Sequence, residues 1–263
     1  MTAVASTVAA VAARLRATGC VFADDEARLL VDAAGSADEL TIMTGRRVDG
    51  EPLEHILGWA EFLGRRIAVE PGVFVPRKRT EFLAVQALSL TRPGTIAVEL
   101  CCGAAAIGVV LAAGVDGVRL HAVDIDPVAV RCARRNLAPV NGKVYVGDLY
   151  RPLPVELRGR VEVLVANAPY VPTESIALLP PEAREHEPKV ALDGGADGLD
   201  VLRRIVAGAQ TWLAPAGHLL VETSERQAAR LLAVFGDAGL IARTAHSPEA
   251  GATVVLGSPS KAS

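Results

Sequence analysis

Hydrophobic residues follow two different rhythms along this chain. In the first 60 residues they recur at helical spacing, with Val4, Val8, Val11 and Leu15 on one face. Ser36 and Glu39 form an S-x-x-E box before LTIMTG, the pattern of a helix start. No strand pattern occurs in this stretch. The next segment, GWAEFLGRRIAVEPGVFVPRKRTE, has β-branched and aromatic runs broken by Gly64 and by Pro71-Gly72, which predicts a hairpin. From about residue 80, strand-like and helix-like runs alternate. TIAVEL precedes AAIGVVLAAG, and VRLHAVD precedes DPVAVRCARRNLA. KVYVGD and VEVLVAN are strand-like, and DGLDVLRRIVAGAQTWLA is helix-like. GHLLVET precedes ERQAARLLAVFGDAG, and IARTAHS with ATVVLGS closes the series as a hairpin. Alternation of this kind implies an α/β fold with a mostly parallel sheet and helices on both faces.

Composition narrows the class. The chain has 263 residues, is 51% hydrophobic and 4% aromatic, and carries a formal charge of -3. That balance is globular, not disordered. No run approaches the roughly 20 apolar residues of a membrane span. In the opening MTAVASTVAAVAARLRATG, Arg14 and Arg16 follow the apolar part, the reverse of a secretory signal, so the expected location is the cytoplasm. Residues 1–75 carry a net charge of -4 and the remainder +1. Without a basic stripe, direct nucleic-acid binding is not expected. The one dense basic spot, Arg77, Lys78 and Arg79, reads as a solvated turn or as a binding surface. Cys20, Cys101, Cys102 and Cys132 contain no Cys-x-x-Cys pair and are expected as reduced core residues, with no metal site.

Candidate chemistry collects at strand ends, where open α/β sheets bind ligands. The loop after TIAVEL is ELCCGAAAIG, Glu99 to Gly108, built of small residues around Gly103. It is neither G-x-G-x-x-G nor a phosphate-gripping loop. The second strand ends at Asp124, an acid placed to accept hydrogen bonds from the ribose hydroxyls of an adenosine-type cofactor. The helix N-cap role suits Asp126 better, with Pro127 at the first helical position. Asp148 ends the third strand and can accept from an adenine amine or close a turn. The fourth strand stops on Asn167, followed by Ala168, Pro169 and Tyr170. A buried amide has an acceptor oxygen and two donors to satisfy. Pro169 stiffens the exit, and Tyr170 supplies a flat wall with a polar tip. This set suits a planar NH₂ group, with one N–H donated to the Asn167 side-chain oxygen and the other to the Ala168 carbonyl. The plainer alternative is a strand-ending Asn beside a turn proline.

These residues resemble the HemK/PrmC-type family of protein-(glutamine-N5) methyltransferases over about residues 50 to 258. EPLEHILGWAEFLG and PGVFVPRKRTE resemble the family's linker, whose motif reads P-G-x-x-[IV]-P-R-P-x-T-E. ELCCGAAAIG occupies the cofactor loop, and NAPY stands where the family has N-P-P-Y. HEPKVALDGGADGLD matches E-P-x-x-A-L-x-G-G-x-D-G-L. The resemblance implies a helical N-terminal substrate-recognition domain at 1–60 and a β-hairpin linker at 61–79. It further implies a seven-stranded Rossmann-like S-adenosylmethionine-dependent methyltransferase domain at 80–263. It places Glu99, Cys101, Gly103, Ala105, Asp124, Asp148 and Asn167 at cofactor positions. Asn167, Ala168, Pro169 and Tyr170 fall at the substrate amide, with Asn167, Pro169 and Tyr170 as the catalytic set. Arg77 is expected to join the substrate-binding set, and with Thr80 it falls in the linker motif near the pocket. The implied partner is a release factor or a ribosomal protein, met by a monomer.

Three departures stand out. Cys101 and Ala105 occupy places where the family loop, G-x-G-x-G, has glycine, and their side chains are expected to narrow the cofactor groove. Ala168 replaces the first proline of N-P-P-Y but keeps the carbonyl the amide needs. Lys78 replaces the second proline of P-R-P. Methylation of an exocyclic amine in nucleic acid, methylation of a small metabolite, and a non-catalytic binding module remain as alternatives. No histidine is needed, and His186 beside the E-P motif reads as a surface or hinge residue.

Overall fold

The structure is a computed structural model that describes residues 3–260. Four helices open the chain: α1 (Ala3–Ala17), α2 (Ala23–Ala33), α3 (Ala37–Val48) and α4 (Leu53–Leu57). They enclose a core of their own around Val11, Leu15, Ala27, Leu30 and Met43. The predicted stripe on α1 is buried from Val11 onward, while Val4 stays exposed. Ser36 accepts the Glu39 N–H at 3.1 Å, as the box pattern requires. Glu39 reaches back one residue further than a capping box, to the Gly35 N–H at 2.8 Å.

The hairpin consists of β1 (Trp59–Phe62) and β2 (Arg65–Ala68). Its two-residue turn puts Leu63 at φ 48° and Gly64 at φ 72°, the left-handed pair that matches strand twist. Ala60, Phe62 and Ile67, with Val69, Val73 and Val75 beyond them, pack into the core of the main sheet. Asn136 accepts the Ala68 N–H at 2.9 Å and donates to the Ala68 and Ala104 carbonyls at 2.9 and 2.8 Å. One side chain therefore satisfies the hairpin edge and ties it to the Glu99–Gly108 loop.

Helix α5 (Thr80–Leu90) follows. The hydrophobic pattern does not announce it: TEFLAVQALSL is apolar almost all round and shows no single stripe, as buried helices do. Then come β3 (Ile96–Leu100), α6 (Ala106–Gly114), β4 (Arg119–Asp124), α7 (Pro127–Leu137), β5 (Lys143–Val146), β6 (Val161–Ala166), α8 (Pro181–His186), α9 (Asp200–Trp212), β7 (Leu213–Thr223), α10 (Glu225–Asp237), β8 (Leu240–Ser247) and β9 (Ala252–Pro259). The seven-stranded sheet runs β5-β4-β3-β6-β7-β9-β8, and only the pairings of β9 are antiparallel.

Each face of the sheet buries its own cluster. Ala97 and Val163 pack with Leu83, Ile107 and Leu111 on one side, and Val98 and Leu164 with Leu202, Ile205 and Leu231 on the other. Two buried faces explain why β3 and β6 read as largely apolar runs, each interrupted by one glutamate, Glu99 and Glu162. The chain winds outward from β3 through β4 to β5, then returns to β6 on the other side. That reversal leaves a crevice beyond the carboxyl ends of β3 and β6. Among the described residues, no helix is long and apolar enough to cross a membrane.

Candidate active site

A cleft open to solvent at its mouth occupies that crevice. Glu99, Cys101, Gly103, Asp124, Asp148, Asn167, Ala168, Pro169 and Tyr170 all line it, together with Arg79 and Thr80. Sequence positions 99 and 170 thus meet because parallel strands end on one edge. Ala105 is wholly buried and lies outside the lining, and Arg77 also lies outside it.

The first wall is made of carboxylates. Glu99 is buried, and its Oε2 accepts the Gly108 N–H at 2.8 Å at the start of α6. Loss of water pushes its pKa up to about 8. Asp124 accepts the Gly103 N–H at 2.8 Å and the Asp126 N–H at 2.9 Å, yet burial still raises its pKa. Asp126 caps α7 by accepting the Val128 N–H at 2.8 Å, as expected from Pro127 behind it. Asp148 accepts Arg204 Nη2 on both oxygens, at 2.7 and 2.6 Å. Arg204 comes from α9 and lines the cleft, and no motif in the sequence pointed to it.

The loop between β3 and α6 explains its own departures. Cys101, Gly103 and Ala105 all sit in the left-handed region, at φ 52°, 53° and 59°. Glycine adopts that conformation freely, while a side-chain-bearing residue is strained by roughly 1–2 kcal/mol. The backbone therefore keeps the glycine-type path with only one glycine in these three places. Of the two residues expected to narrow the groove, Cys101 lines the cleft, while Ala105 is wholly buried and lies outside the lining. Burial raises the pKa of the Cys101 and Cys102 thiols and so disfavours the thiolate.

The second wall is the exit of β6. Asn167 Nδ2 donates to Thr80 Oγ1 at 3.1 Å, and among the described residues its Oδ1 has no protein donor. Tyr170 O–H donates to Glu222 Oε1 at 3.0 Å. Gln227 Nε2 donates to the carbonyls of Tyr170 and Asp197, each at 3.0 Å. The G-G-x-D-G stretch packs directly beneath this exit. A Cβ on Gly198 would stand 2.3 Å from the Tyr170 carbonyl oxygen, and one on Gly194 would stand 2.8 Å from that of Pro169. Gly194 N–H also donates to the Val171 carbonyl at 2.8 Å. The long E-P…D-G-L motif is thus the platform that fixes the Asn167–Tyr170 backbone.

The basic spot lies in an exposed turn at Lys78 and Arg79, and each of its cations is paired. Arg77 pairs with Glu187 at 2.6 Å, Lys78 with Glu61 and Glu81, and Arg79 with Glu222 at 3.1 Å. Each cation neutralises a carboxylate from another part of the fold or from the next turn. Val75 N–H shares Glu187 at 3.2 Å, so the linker motif and the E-P motif are clamped together.

An acidic cleft at the strand ends, with Asp124 ending β4, fits a positively charged adenosine-type cofactor by the chemistry of its donors and acceptors. Fold and site together define a Rossmann-like methyltransferase. Residues 65–178 match the Methyltransferase small domain. The chain is 37% identical to the release factor glutamine methyltransferase of Geobacter sulfurreducens, over 75% of this chain and 69% of that protein. It is 37% identical to the 4-amino-L-phenylalanine/4-methylamino-L-phenylalanine methyltransferase of Streptomyces pristinaespiralis, over 77% of this chain and 71% of that protein. The crystal structure of a methyltransferase from Pyrococcus furiosus shares the fold at TM-score 0.56 and 15% identity, covering 82% of this chain and 98% of that one. The chain belongs to the release factor glutamine methyltransferase family, whose cofactor is S-adenosylmethionine.

Proposed function

We propose that the protein methylates the side-chain amide nitrogen of a glutamine in a peptide-chain release factor. The relatives' names support the substrate, and one observation carries the chemistry. Thr80 engages the Asn167 NH₂, which leaves Asn167 Oδ1 as an acceptor beside the Ala168 carbonyl. Two acceptors side by side suit the two N–H groups of a primary amide.

S-adenosylmethionine supplies an electrophilic methyl group when bound. Asp124 would hold its ribose, Asp148 its adenine amine, and Glu99 with the Gly103 loop its charged end. The chain's own task is to place a poor nucleophile. Asn167 Oδ1 and the Ala168 carbonyl orient the amide nitrogen and stabilise the positive charge that develops on it as it bonds to carbon. Pro169 keeps the carbonyl in place, and the Tyr170 ring bounds the amide plane. Positioning of this kind supplies roughly 7–11 kcal/mol of barrier reduction, so no strong base is required.

In this reading the enzyme works in the cytoplasm as a monomer, on a protein and not on nucleic acid. Residues 1–60 form the domain that recognises the substrate surface, ahead of the linker at 61–79 and the methyltransferase domain at 80–263. Arg47 in α3 supports that division of labour. It pairs with Glu26 at 2.6 Å and with Glu182 of α8 at 2.7 Å, next to the E-P motif. The test is incubation with labelled S-adenosylmethionine and a release factor, a ribosomal protein and 4-amino-L-phenylalanine in separate reactions, followed by mass mapping. Methyl on a release-factor glutamine is expected. Methyl only on the free amino acid or on the ribosomal protein would overturn the assignment.

A further inference from the structure

The proposed reaction leaves one buried carboxylate beside the cleft without a task. Glu222 stands one residue before the end of β7, with a side chain only 1% exposed. Its Oε1 accepts both Tyr170 O–H at 3.0 Å and Arg79 Nε–H at 3.1 Å, while Oε2 has no hydrogen-bond partner. A carboxylate withdrawn from water this far is costly unless fixed donors compensate it. Both donors come from residues that line the cleft, and Glu222 itself does not line it. The Arg79 guanidinium also lies over the Tyr170 ring, 5.8 Å from its centroid. The three side chains therefore form one unit, with the charge that binds it behind the wall.

Two consequences follow from the geometry. The phenol hydrogen is committed to Glu222, so Tyr170 meets the cleft with its ring and not with its donor. Arg79 precedes Thr80, which orients Asn167, so the same unit borders both halves of the amide site. We propose that Glu222 is a positioning residue: it locks the Tyr170 ring and the Arg79 side chain into a rigid wall against which the substrate amide is held. It acts through them and touches neither substrate nor cofactor. The proposal rests on the reading that the amide sits at Asn167.

The test has one arm that needs no substrate. The chain has three tyrosines, so ring signals of labelled tyrosine are assigned by elimination with Tyr170→Phe. Glu222→Ala shifts and broadens the Tyr170 signal, while Glu222→Gln, which keeps the acceptor oxygen, leaves it in place. The kinetic arm uses the full chain and the protein substrate. Glu222→Ala lowers kcat/KM by about 10²-fold, the scale of a misplacement near 1 Å. Glu222→Gln restores most of it, and cofactor affinity stays within about twofold, since additive sites are independent. Tyr170→Phe costs about tenfold in the wild type but less than about twofold in Glu222→Ala, because the two changes break one contact. An unmoved Tyr170 signal in Glu222→Ala overturns the proposal, and so does an equal cost of Tyr170→Phe in both backgrounds. If Glu222→Ala does not fold, Tyr170→Phe and Arg79→Ala decide: full turnover in either overturns it. A wild-type chain that methylates no glutamine contradicts the proposed function instead, and the tyrosine spectra then decide the role of Glu222 alone.

Discussion

The two walls of the cleft are built on opposite principles. The wall proposed for the cofactor is mainly local: Glu99 lies near the end of β3, Asp124 ends β4 and Asp148 follows β5, and the first two accept backbone N–H groups from the loop or helix that comes next. The wall proposed for the substrate is assembled from afar. Asn167 depends on Thr80, and Tyr170 depends on Glu222 and Gln227, from α5, β7 and α10. A site that must orient a weak nucleophile needs every side chain restrained from a second direction.

The sharpest way to break this contrast is to remove one group from each wall. Asn167→Ala deletes an oriented acceptor and should lower turnover by about 10² or more, the scale of a lost preorganised charge-stabilising group. Steady-state methyl transfer to the protein substrate reads this directly. Asp124→Ala should weaken S-adenosylmethionine binding by roughly 1.5–3 kcal/mol, through loss of a charged acceptor. Calorimetric titration of the folded variant checks it, and unchanged affinity removes Asp124 from the cofactor wall.

The next test uses pH. The unfolded Glu99 carboxyl ionises near its ordinary value of 4.5, while in the fold burial holds its pKa at about 8. Between those values the folded cofactor-free protein binds more protons than the unfolded chain, so this group lowers stability as pH rises through that window. Glu99→Gln should flatten the decline. Melting temperatures of both proteins at several pH values from acid to mildly alkaline measure the difference, and parallel curves would contradict the assignment. The smallest effect concerns the loop. Ala105→Gly relieves a left-handed residue and should raise stability by about 1 kcal/mol in denaturant unfolding, with cofactor affinity unchanged because Ala105 is sealed from the cleft. A lower stability would mean that the methyl's packing outweighs the strain.

How far the sequence could be read follows the same divide. Strand ends announce themselves, because a buried strand is largely apolar and a polar residue that ends it just before a cap or a turn proline is conspicuous. Asp124 and Asn167 were legible for that reason. Helix α5 was not, since burial on several sides erases the stripe that marks a surface helix. Arg204, Glu222 and Gln227 were invisible because their partners lie 56, 52 and 57 residues away in the chain. The pairing within the Arg77–Arg79 spot was hidden for a related reason: the exposed turn is legible from its charges, but its carboxylates, at Glu187, Glu61, Glu81 and Glu222, come mostly from distant parts of the chain. The left-handed loop was half legible. Resemblance located the glycine positions, and only the backbone shows that Cys101 and Ala105 adopt the same conformation without being glycine.

Titration of S-adenosylmethionine into Asn167→Ala tests the division between the walls most directly. Asn167 also stands at a cofactor position by family resemblance, so the result is not trivial. If β3, β4 and β5 carry the cofactor, the folded variant binds it within about threefold of the wild type, a difference under 1 kcal/mol, while its methyl transfer is nearly abolished. A loss of affinity matching the loss of turnover would contradict it, and would make Asn167 part of the cofactor wall.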